Sequence, residues 1–282
     1  WFTDAKYCTP VPVDERDTSD FCKPVNRAVR NFANADLLPE ESEQMSAGLA
    51  FNATENLSFT LDYWNIEITN QITSITAQTI LDEEYLGNLG SYTGLYVNRD
   101  LAEADWRQEI LEIGSTVTNY LGLDTTGIDF SVTSKFDFGD AGSLTTALEA
   151  TQVLEYNFQT TSLEPEYDHV GYYGRPENRI LLKNSYTKGP LQAFINVRYT
   201  GSFIGETPEE EANGEEWLDY PSMTTVDVGV AYDFDDYGTV RLVSTNVADK
   251  LPPINTDVRE GYNYTVHSII GRTIQLSYTK AF

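Results

Sequence analysis

The chain has 282 residues, a formal net charge of −26 and a hydrophobic fraction of 40%. This acidity argues against nucleic-acid binding and against docking on an anionic membrane surface, because both need clustered Lys and Arg. The acidity predicts a solvated surface that keeps the protein soluble or its exposed loops hydrated, and the alternative is selection for a cationic ligand or divalent ion. The abundance of aromatic residues, with 18 Tyr and 13 Phe against two Met and two His, favours half-exposed β-strands over helices.

The N-terminal stretch carries both cysteines of the chain, Cys8 and Cys22, with thirteen residues between them. A zinc site would need more ligands at shorter spacing. The pair therefore predicts a disulfide if the protein is exported and two free thiols if it is cytosolic. The start of the chain lacks the basic residues and apolar run of a signal peptide. Since no stretch approaches the ~20 apolar residues of a membrane helix, the protein is soluble, spans a membrane by strands, or is a fragment.

Alternation of apolar and polar residues with period two predicts nine strands along the rest of the chain. Within residues 223–234, for example, Val226 and Val228 share one face and Asp227 lies on the other. Charged residues in the middle of strands, such as Arg198, require water on the polar face. The nine strands are predicted at 43–53, 57–71, 126–138, 143–158, 178–187, 191–200, 223–234, 238–248 and 271–282.

The second predicted strand changes phase near its middle. Its apolar residues stand at odd positions up to Tyr63 and at even positions from Trp64 onward. A one-residue slip would turn every following side chain to the other face. We therefore expect a β-bulge at Tyr63–Trp64. The alternative is that Trp64 faces inward as a packing residue.

The links between the predicted strands alternate between short and long. The short links, NATEN, GDAG, KGP and DDY, are rich in turn-forming residues. The long links cover about 72–125, 159–177, 201–222 and 249–270. This sorting is typical of a membrane β-barrel with tight periplasmic turns and long outer loops. Because nine strands cannot close a bacterial barrel, we expect the chain to be the C-terminal part of something longer.

Two of the long links contain features of their own. Residues 74–88 predict a short helix that packs on the neighbouring loop or, alternatively, caps the barrel mouth or contacts ligand. Residues 205–221 combine seven acids with two aromatic residues. This composition favours a solvated outer loop tethered to lipopolysaccharide through divalent ions. The functional alternative is a rim that binds a cation or sugar, with aromatic stacking on the ligand. The candidate residues of that rim are Trp217, Tyr220, Glu215 and Glu216.

Motifs of catalysis and of cofactor binding are not found in the sequence. His169 and His267 are isolated, and no ligand spacing indicates a metal site. No nucleophile elbow, phosphate loop or zinc-binding helix occurs. We therefore expect no enzymatic activity, no catalytic residue, no metal and no bound cofactor.

Several segments resemble the C-terminal half of a TonB-dependent outer-membrane receptor. Asn34 and the run Leu37–Glu40 are similar to the family's Asn-Pro-x-Leu-x-Pro-Glu loop, although an alanine stands where the first proline is often found. Thr125–Ser131 resembles its Thr-x-Gly-Ile-Asp/Glu strand entry, and Asn246–Pro253 resembles its Asn-Val-x-Asp-Lys-x-Pro-Pro tail. Their order and spacing make the resemblance specific.

The last stretch, GRTIQLSYTKAF, resembles the family's closing strand, so that the resemblance covers most of residues 34–282. It implies that Tyr278 and Phe282 belong to a signal that the barrel-assembly machinery recognises. Lys280 interrupts the row of alternate apolar residues. Near the membrane interface a lysine can extend its ammonium to the head groups.

The resemblance implies an all-β fold, an antiparallel up-and-down transmembrane barrel in the Gram-negative outer membrane, of whose 22 strands this chain supplies about nine. Residues 1–42 would be an extracellular loop segment, and residues 43–282 the barrel part. The implied partners are TonB, acting through an N-terminal part outside this chain, and outer-membrane lipid and lipopolysaccharide. The implied ligand is a ferric siderophore, a cobalamin-like cofactor or an oligosaccharide.

Two other functions stay open on the sequence alone. A passive porin-like or adhesion barrel would lack the plug domain and TonB box upstream of the barrel. A soluble secreted carbohydrate-binding β protein would stay in solution without detergent.

Overall fold

The computed structural model describes residues 2–12, 15–16, 19–91, 94–102, 108–119, 122–159, 167–212, 214 and 216–280. Its helices are α1 (Ala5–Cys8), α2 (Ala77–Leu86) and α3 (Pro208–Ala212). Its strands are β1 (Ala28–Phe32), β2 (Glu41–Thr54), β3 (Leu57–Thr69), β4 (Ile72–Ser74), β5 (Tyr96–Arg99), β6 (Ile110–Asn119), β7 (Gly122–Asp137), β8 (Ser143–Gln159), β9 (Tyr167–Asp168), β10 (Asn178–Lys188), β11 (Leu191–Thr200), β12 (Met223–Asp233), β13 (Thr239–Thr245) and β14 (Thr273–Thr279). The chain divides into two compact units. No helix among these residues is both apolar enough and long enough to cross a membrane.

The larger unit is built on a sheet in which β2, β3, β7, β8, β10, β11, β12, β13 and β14 follow one another, with β9 added to β8. Strands that follow along the chain pair side by side, so the sheet is an antiparallel up-and-down meander. Each of the nine predicted strands corresponds to one of these nine strands. The all-β antiparallel fold class is therefore confirmed.

Two of the short turns share one design, FGDAG at 138–142 and FDDYG at 234–238. In each turn the Phe N–H donates to the carbonyl of the closing glycine. Gly142 and Gly238 have φ values of 97° and 94°. A Cβ on either would lie 2.4 Å from the Thr187 carbonyl oxygen or 2.5 Å from that of Thr279. Only glycine fits such a position, so these turns are encoded locally.

The two faces of the sheet differ in polarity, because neighbouring strands align apolar residues on one face and polar residues on the other. The register places Leu276, Leu242, Val230, Ala193 and Tyr186 in one row across five strands. Leu276 is 71% exposed in this chain, as expected for the lipid-facing side of a transmembrane barrel. The opposite face carries Asp227, Asn196 and Lys183 in a row of their own. We call these two sides the apolar face and the polar face.

Trp64 lies on the polar face, which corrects the expectation of a bulge at Tyr63–Trp64. The hydroxyl groups of Thr60 and Ser131 are 2.7 Å apart, which places both residues on one face. The Trp64 ring covers Gly127, where a Cβ would meet it at 2.3 Å. Trp64 therefore continues the even-numbered face of Thr60, and the phase does not change between them. The alternative of an inward-packing Trp64 is the one the structure supports, with Gly127 leaving room for its ring.

The smaller unit comprises described residues of 2–41 and 68–122. Its central strand β6 pairs in parallel with β1 and antiparallel with β5 and β4. Its core consists of buried apolar side chains: Phe2, Ala5, Ile75, Ile80, Leu81, Leu95, Ile110 and Ile113. Helix α2 is the one predicted within 74–88, and it packs Ile80 and Leu81 into this core. The division predicted at residue 42 stays a prediction, since this unit combines residues from two separate stretches of the chain.

A disulfide and a buried ion cluster hold the start of the smaller unit. Cys8 and Cys22 are joined by a bond of 2.03 Å. The Arg99 guanidinium donates to both carboxylate oxygens of Asp4, each at 2.8 Å, and to Glu84 at 2.8 and 2.5 Å. The Arg99 side chain is 4% exposed. The two carboxylates therefore compensate the buried positive charge of Arg99 through direct hydrogen bonds, as a buried cation requires.

The loop that resembles the family's first motif lies along the edge of this unit. The side-chain amide of Asn34 donates to the Val117 carbonyl at 3.1 Å. The Asn119 side chain accepts from the Leu38 N–H and donates to the Leu38 carbonyl, both at 2.8 Å. Glu40 accepts the Ile72 N–H at 2.6 Å. The motif thus attaches the segment before β2 to residues around β4 and β6.

Candidate functional site

Three of the long loops of the larger unit converge in one packed group. The loop cluster consists of described residues of 169–177, 203–220 and 246–272. Backbone bonds join the first two loops, from Tyr173 N to Glu206 O at 3.1 Å and from Ile204 N to Gly171 O at 2.7 Å. The Asn255 side chain donates to the Leu218 carbonyl at 2.7 Å and so joins the last two loops. The cluster is therefore held by paired polar groups as well as by packing.

An aromatic stack forms the centre of the loop cluster. The rings of Phe203 and Tyr220 stack at 4.5 Å, and the His267 imidazole lies 6.0 Å from the Phe203 ring and nearly parallel to it. Tyr173 meets Tyr220 edge-on at 6.2 Å. Burial raises the pKa of Tyr220 to about 12. Tyr220 is fully buried, so its ring could stack on a ligand only if the cluster opened.

His169 anchors the first loop of the cluster. Its Nε2 lies 3.0 Å from a Glu209 carboxylate oxygen and its Nδ1 lies 3.1 Å from the Tyr167 carbonyl. The edge of the Phe158 ring also contacts the imidazole. Because the side chain is buried and both nitrogens are paired, His169 has a structural role in holding two loops together. Sequence reasoning took it for an isolated loop residue because its acidic partner is 40 positions away.

The predicted rim residues differ in how far they are exposed to solvent. Trp217 is partly buried, and its backbone N–H donates to the Glu206 carboxylate at 3.1 Å. Glu216 is exposed, whereas Glu215 lies outside the described residues. Together with the burial of Tyr220, this arrangement leaves Trp217 and Glu216 as the described candidates for a surface contact with ligand. Their role stays a prediction.

The acidic helix α3 contributes hydrogen bonds within the loops. The Tyr172 hydroxyl donates to Glu211 at 2.6 Å. This bond, followed by burial, raises the pKa of Tyr172 to about 12. The Thr207 N–H donates to Glu210 at 2.7 Å, as in an N-terminal helix cap. The acids of this segment therefore stabilise the loops in part and are not all free to bind cations.

A cavity of about 440 Å³ lies on the polar face beneath the last loop. We call it the polar-face cavity. Its lining combines strand residues of β11 to β14 with residues of the last loop: Arg198, Thr200, Met223, Thr225, Asp227, Thr245, Asn246, Val266, His267, Ser268, Ile270, Gly271 and Thr273. Four threonine hydroxyls, one guanidinium, one carboxylate and one imidazole make this lining polar and capable of hydrogen bonding.

Arg198 and Asp227 form the charged centre of the polar-face cavity. Arg198 Nη1 donates to Asp227 Oδ2 at 2.6 Å, and Asp227 Oδ1 accepts the Asn246 N–H at 2.9 Å. Asp227 is buried, whereas the Arg198 side chain is 56% exposed. Asp227 thus fixes one side of the guanidinium and leaves the rest of the side chain open to the cavity.

The motif Asn246–Pro253 builds the edge of the cavity. The Asn246 side chain accepts the Lys250 N–H and donates to the Lys250 carbonyl, at 3.0 and 2.8 Å. Asp249 accepts the Arg272 N–H at 2.7 Å, immediately before β14 begins. Asn246 and Asp249 both have positive φ, which Asn and Asp tolerate better than most residues. The motif therefore fixes both ends of the last loop.

His267 is the buried member of the cavity lining. Its Nε2 has no hydrogen-bond partner among the described residues. Burial lowers the pKa of His267 below its ordinary value, and the positive charge of Arg179 lowers it further. The imidazole is therefore neutral near pH 7 and has one ring nitrogen free to donate or accept.

The described residues contain no group of three or more His, Cys, Asp or Glu side chains placed to hold a metal ion.

In the predicted assembly signal, the Tyr278 hydroxyl donates to the Tyr237 carbonyl at 2.6 Å, while Phe282 lies outside the described residues. Tyr278 thereby closes the FDDYG turn, and its role in recognition by the assembly machinery stays a prediction.

In comparison with protein families, the chain matches the model described as TonB dependent receptor-like, beta-barrel, over residues 10–247. No curated protein matches the chain. Among solved structures, the siderophore receptor PirA from Acinetobacter baumannii is 17% identical, with a TM-score of 0.56 over 86% of this chain and 32% of its own.

Two further solved structures share the fold. The ferric enterobactin receptor PfeA from Pseudomonas aeruginosa, in a variant bound to enterobactin, is 14% identical, with a TM-score of 0.57 over 87% of this chain and 32% of its own. The FrpB iron transporter from Neisseria meningitidis is 13% identical, with a TM-score of 0.54 over 89% of this chain and 31% of its own. The chain thus spans about a third of the length of the proteins it matches.

Proposed function

This chain belongs to the TonB-dependent receptor-like β-barrel family and is part of a Gram-negative outer-membrane barrel, and we propose that the whole protein is an energised transporter for ferric siderophores. One observation carries the proposal. The family match covers the meander from β2 to β13, where the apolar face is continuous and the turns alternate between tight hairpins and long packed loops. Such a wall places the long loops together at one rim, where a scarce ligand can be captured.

Among the three ligand classes that the sequence suggested, a ferric siderophore is favoured over a cobalamin-like cofactor or an oligosaccharide. The support is that the similar structures include a siderophore receptor, a ferric enterobactin receptor and an iron transporter. In the proposed arrangement the loop cluster faces the outside, and Trp217 and Glu216 contribute to its ligand-contacting rim. The short turns, including FGDAG and FDDYG, face the periplasm.

The proposed partners follow from the same arrangement. TonB would supply energy through residues outside this chain, and the barrel-assembly machinery would insert the strands by reading Tyr278 and Phe282. The apolar face would contact lipid and lipopolysaccharide. No step of this function needs bond-making chemistry from the chain, so the proposal includes no enzymatic activity.

Uptake measured in a deletion strain tests this function. Cells that lack the gene are supplied with radioactive iron on catecholate, hydroxamate and carboxylate chelators, with and without the full-length protein and with and without TonB. We expect one chelator class to be accumulated only when both proteins are present. Uptake that needs the barrel but not TonB would support a passive porin instead, and no uptake of any chelate would contradict an iron-chelate transporter.

A further inference from the structure

We propose that the polar-face cavity is a binding subsite for a small hydroxycarboxylate, or for a hydroxycarboxylate group of a larger ligand. Arg198 would bind the carboxylate, and His267 and the threonines would bind the hydroxyl. The proposal rests on the proposed transport function only for its biological purpose, because binding to the cavity can be measured without transport.

The guanidinium of Arg198 supplies the anion-binding side of the subsite. A guanidinium carries five N–H donors, and the Arg198 bond to Asp227 uses one nitrogen. Because the side chain is more than half exposed, the other donors remain available toward the cavity. Asp227 holds the Arg198 guanidinium in place and leaves its other N–H donors unused. These donors can form a second, charge-assisted pair with a carboxylate.

A second arginine, Arg179, lies beside the polar-face cavity. The register pairs Arg179 with Thr200, which lines the cavity, so Arg179 lies on the same face of the sheet. It also acts on the neighbouring imidazole of His267. Arg179 therefore adds a second positive charge beside the cavity. Asp227 in the lining and Asp249 at its edge are the carboxylates near it.

His267 and the threonines supply the neutral hydrogen-bonding side. The unpartnered, buried Nε2 of His267 is costly unless a ligand or water pairs with it. A neutral imidazole pairs well with a hydroxyl group. The hydroxyls of Thr245 and Thr273 lie 2.6 Å apart and can both donate and accept. A ligand that combines a carboxylate with a hydroxyl matches this lining better than a carboxylate alone.

The size of the cavity limits what it can hold. At about 440 Å³ it falls in the range of ligand pockets, roughly 300–1,000 Å³. It suits a compact acid or one arm of a chelator, and it is too small for a whole large chelate. Met223, Val266 and Ile270 give it an apolar part that would contact the carbon skeleton.

The test is a calorimetric titration of the full-length protein in detergent with two acids. Citrate and tricarballylate carry the same three carboxylates, and only citrate has the hydroxyl. We expect citrate to bind more tightly than tricarballylate. We expect Arg198→Gln, which keeps a donor for Asp227, to weaken both acids at least tenfold. Arg241→Ala is the matched control, since it removes an arginine from the same face outside the cavity and should change neither affinity.

A second variant tests the hydroxyl side. His267→Phe keeps a ring against Phe203 and removes the ring nitrogens, so citrate should lose its advantage while tricarballylate binds as before. The proposal is overturned if neither acid binds, if Arg198→Gln and Arg241→Ala behave alike, or if His267→Phe leaves the ratio unchanged. Intact iron uptake without citrate binding would overturn the subsite alone. Citrate binding without uptake of any chelate would overturn the transport function alone.

Discussion

The two units of the chain place their apolar residues in opposite ways. The smaller unit buries its aliphatic residues, with Ile80, Leu81 and Ile113 fully inaccessible. The larger unit exposes them on the apolar face, where Ile274 and Leu276 are 69% and 71% accessible. A water-exposed domain needs an apolar interior, whereas a membrane wall needs an apolar exterior. The same chain therefore combines a conventional core with an inverted one.

The largest effect is expected at the buried ion cluster of the smaller unit. Arg99→Ala leaves the carboxylates of Asp4 and Glu84 without their cation, and breaking a buried pair in this way costs about 3–5 kcal/mol. Because this loss makes local opening easier, we expect the backbone amides of β6 in the full-length protein to exchange hydrogen faster. Arg30→Ala is the control, because the Arg30 side chain is 62% exposed and such a pair, here with Glu112, is worth less than about 1 kcal/mol. Equal exchange in the two variants would contradict the role given to Arg99.

Truncating an aliphatic side chain should destabilise the smaller unit much more than the larger unit. Ile113→Ala creates a cavity in the buried core and should cost about 2–5 kcal/mol. Leu242→Ala removes a side chain that faces lipid, which can fill the space, so its effect should be much smaller. The free energy of local opening, measured by hydrogen exchange in each region, checks the difference. Comparable losses at both positions would mean that the apolar face packs against protein.

Introducing a charge should distinguish the two faces of one strand. Leu276→Lys places an ammonium on the apolar face, where the cost reaches about 2–4 kcal/mol near the midplane of a membrane. Gln275→Lys, the neighbouring residue on the polar face, should cost close to nothing. Folding into lipid vesicles, followed by heat-modifiable migration on gels, measures both variants. Similar folding yields would show that the two faces meet the same solvent.

The smallest effect concerns the loop cluster at acidic pH. Burial lowers the pKa of His267, so the unfolded loop binds a proton more readily than the folded loop does. The stabilisation by the neutral imidazole is therefore present above the ordinary His pKa of about 6.5 and lost as pH falls through the lowered folded value. Amides of 255–267 should become less protected near pH 5 than at pH 7.5. His267→Asn should remove this dependence, and a variant with an unchanged pH profile would contradict the assignment.

Sequence patterns predicted the larger unit well because residues close together in the sequence determine its strands and turns. Alternation with period two identified all nine strands of the meander, and the turns contain the glycines that their geometry needs. The repeated design of FGDAG and FDDYG is also local, since both five-residue patterns stand in the sequence. The pattern of apolar residues predicts a bulge at Trp64, which is wrong because Gly127, on another strand, leaves room for the Trp64 ring.

The sheet of the smaller unit and the packing of the candidate site could not be predicted, because contacts between distant residues build both. The parallel pairing of β1 with β6 joins Ala28 to Glu112, and no local periodicity reports such a pair. The burial of Tyr220 and the pairing of Arg198 with Asp227 likewise depend on how separate loops and strands meet. Residue type suggested stacking or binding roles, but only the fold decides which side chains are accessible.

Site-directed spin labelling along β13 and β14 in membranes tests most directly whether the sheet is a membrane wall. A nitroxide is placed at each position of 239–245 and 273–279 in the full-length protein, and its collisions with oxygen and with a water-soluble nickel complex are compared. The account predicts a period of two, with oxygen favoured at Leu242, Ile274 and Leu276 and disfavoured at Arg241 and Gln275. Equal access on both faces, or preference for the nickel complex throughout, would contradict a transmembrane sheet.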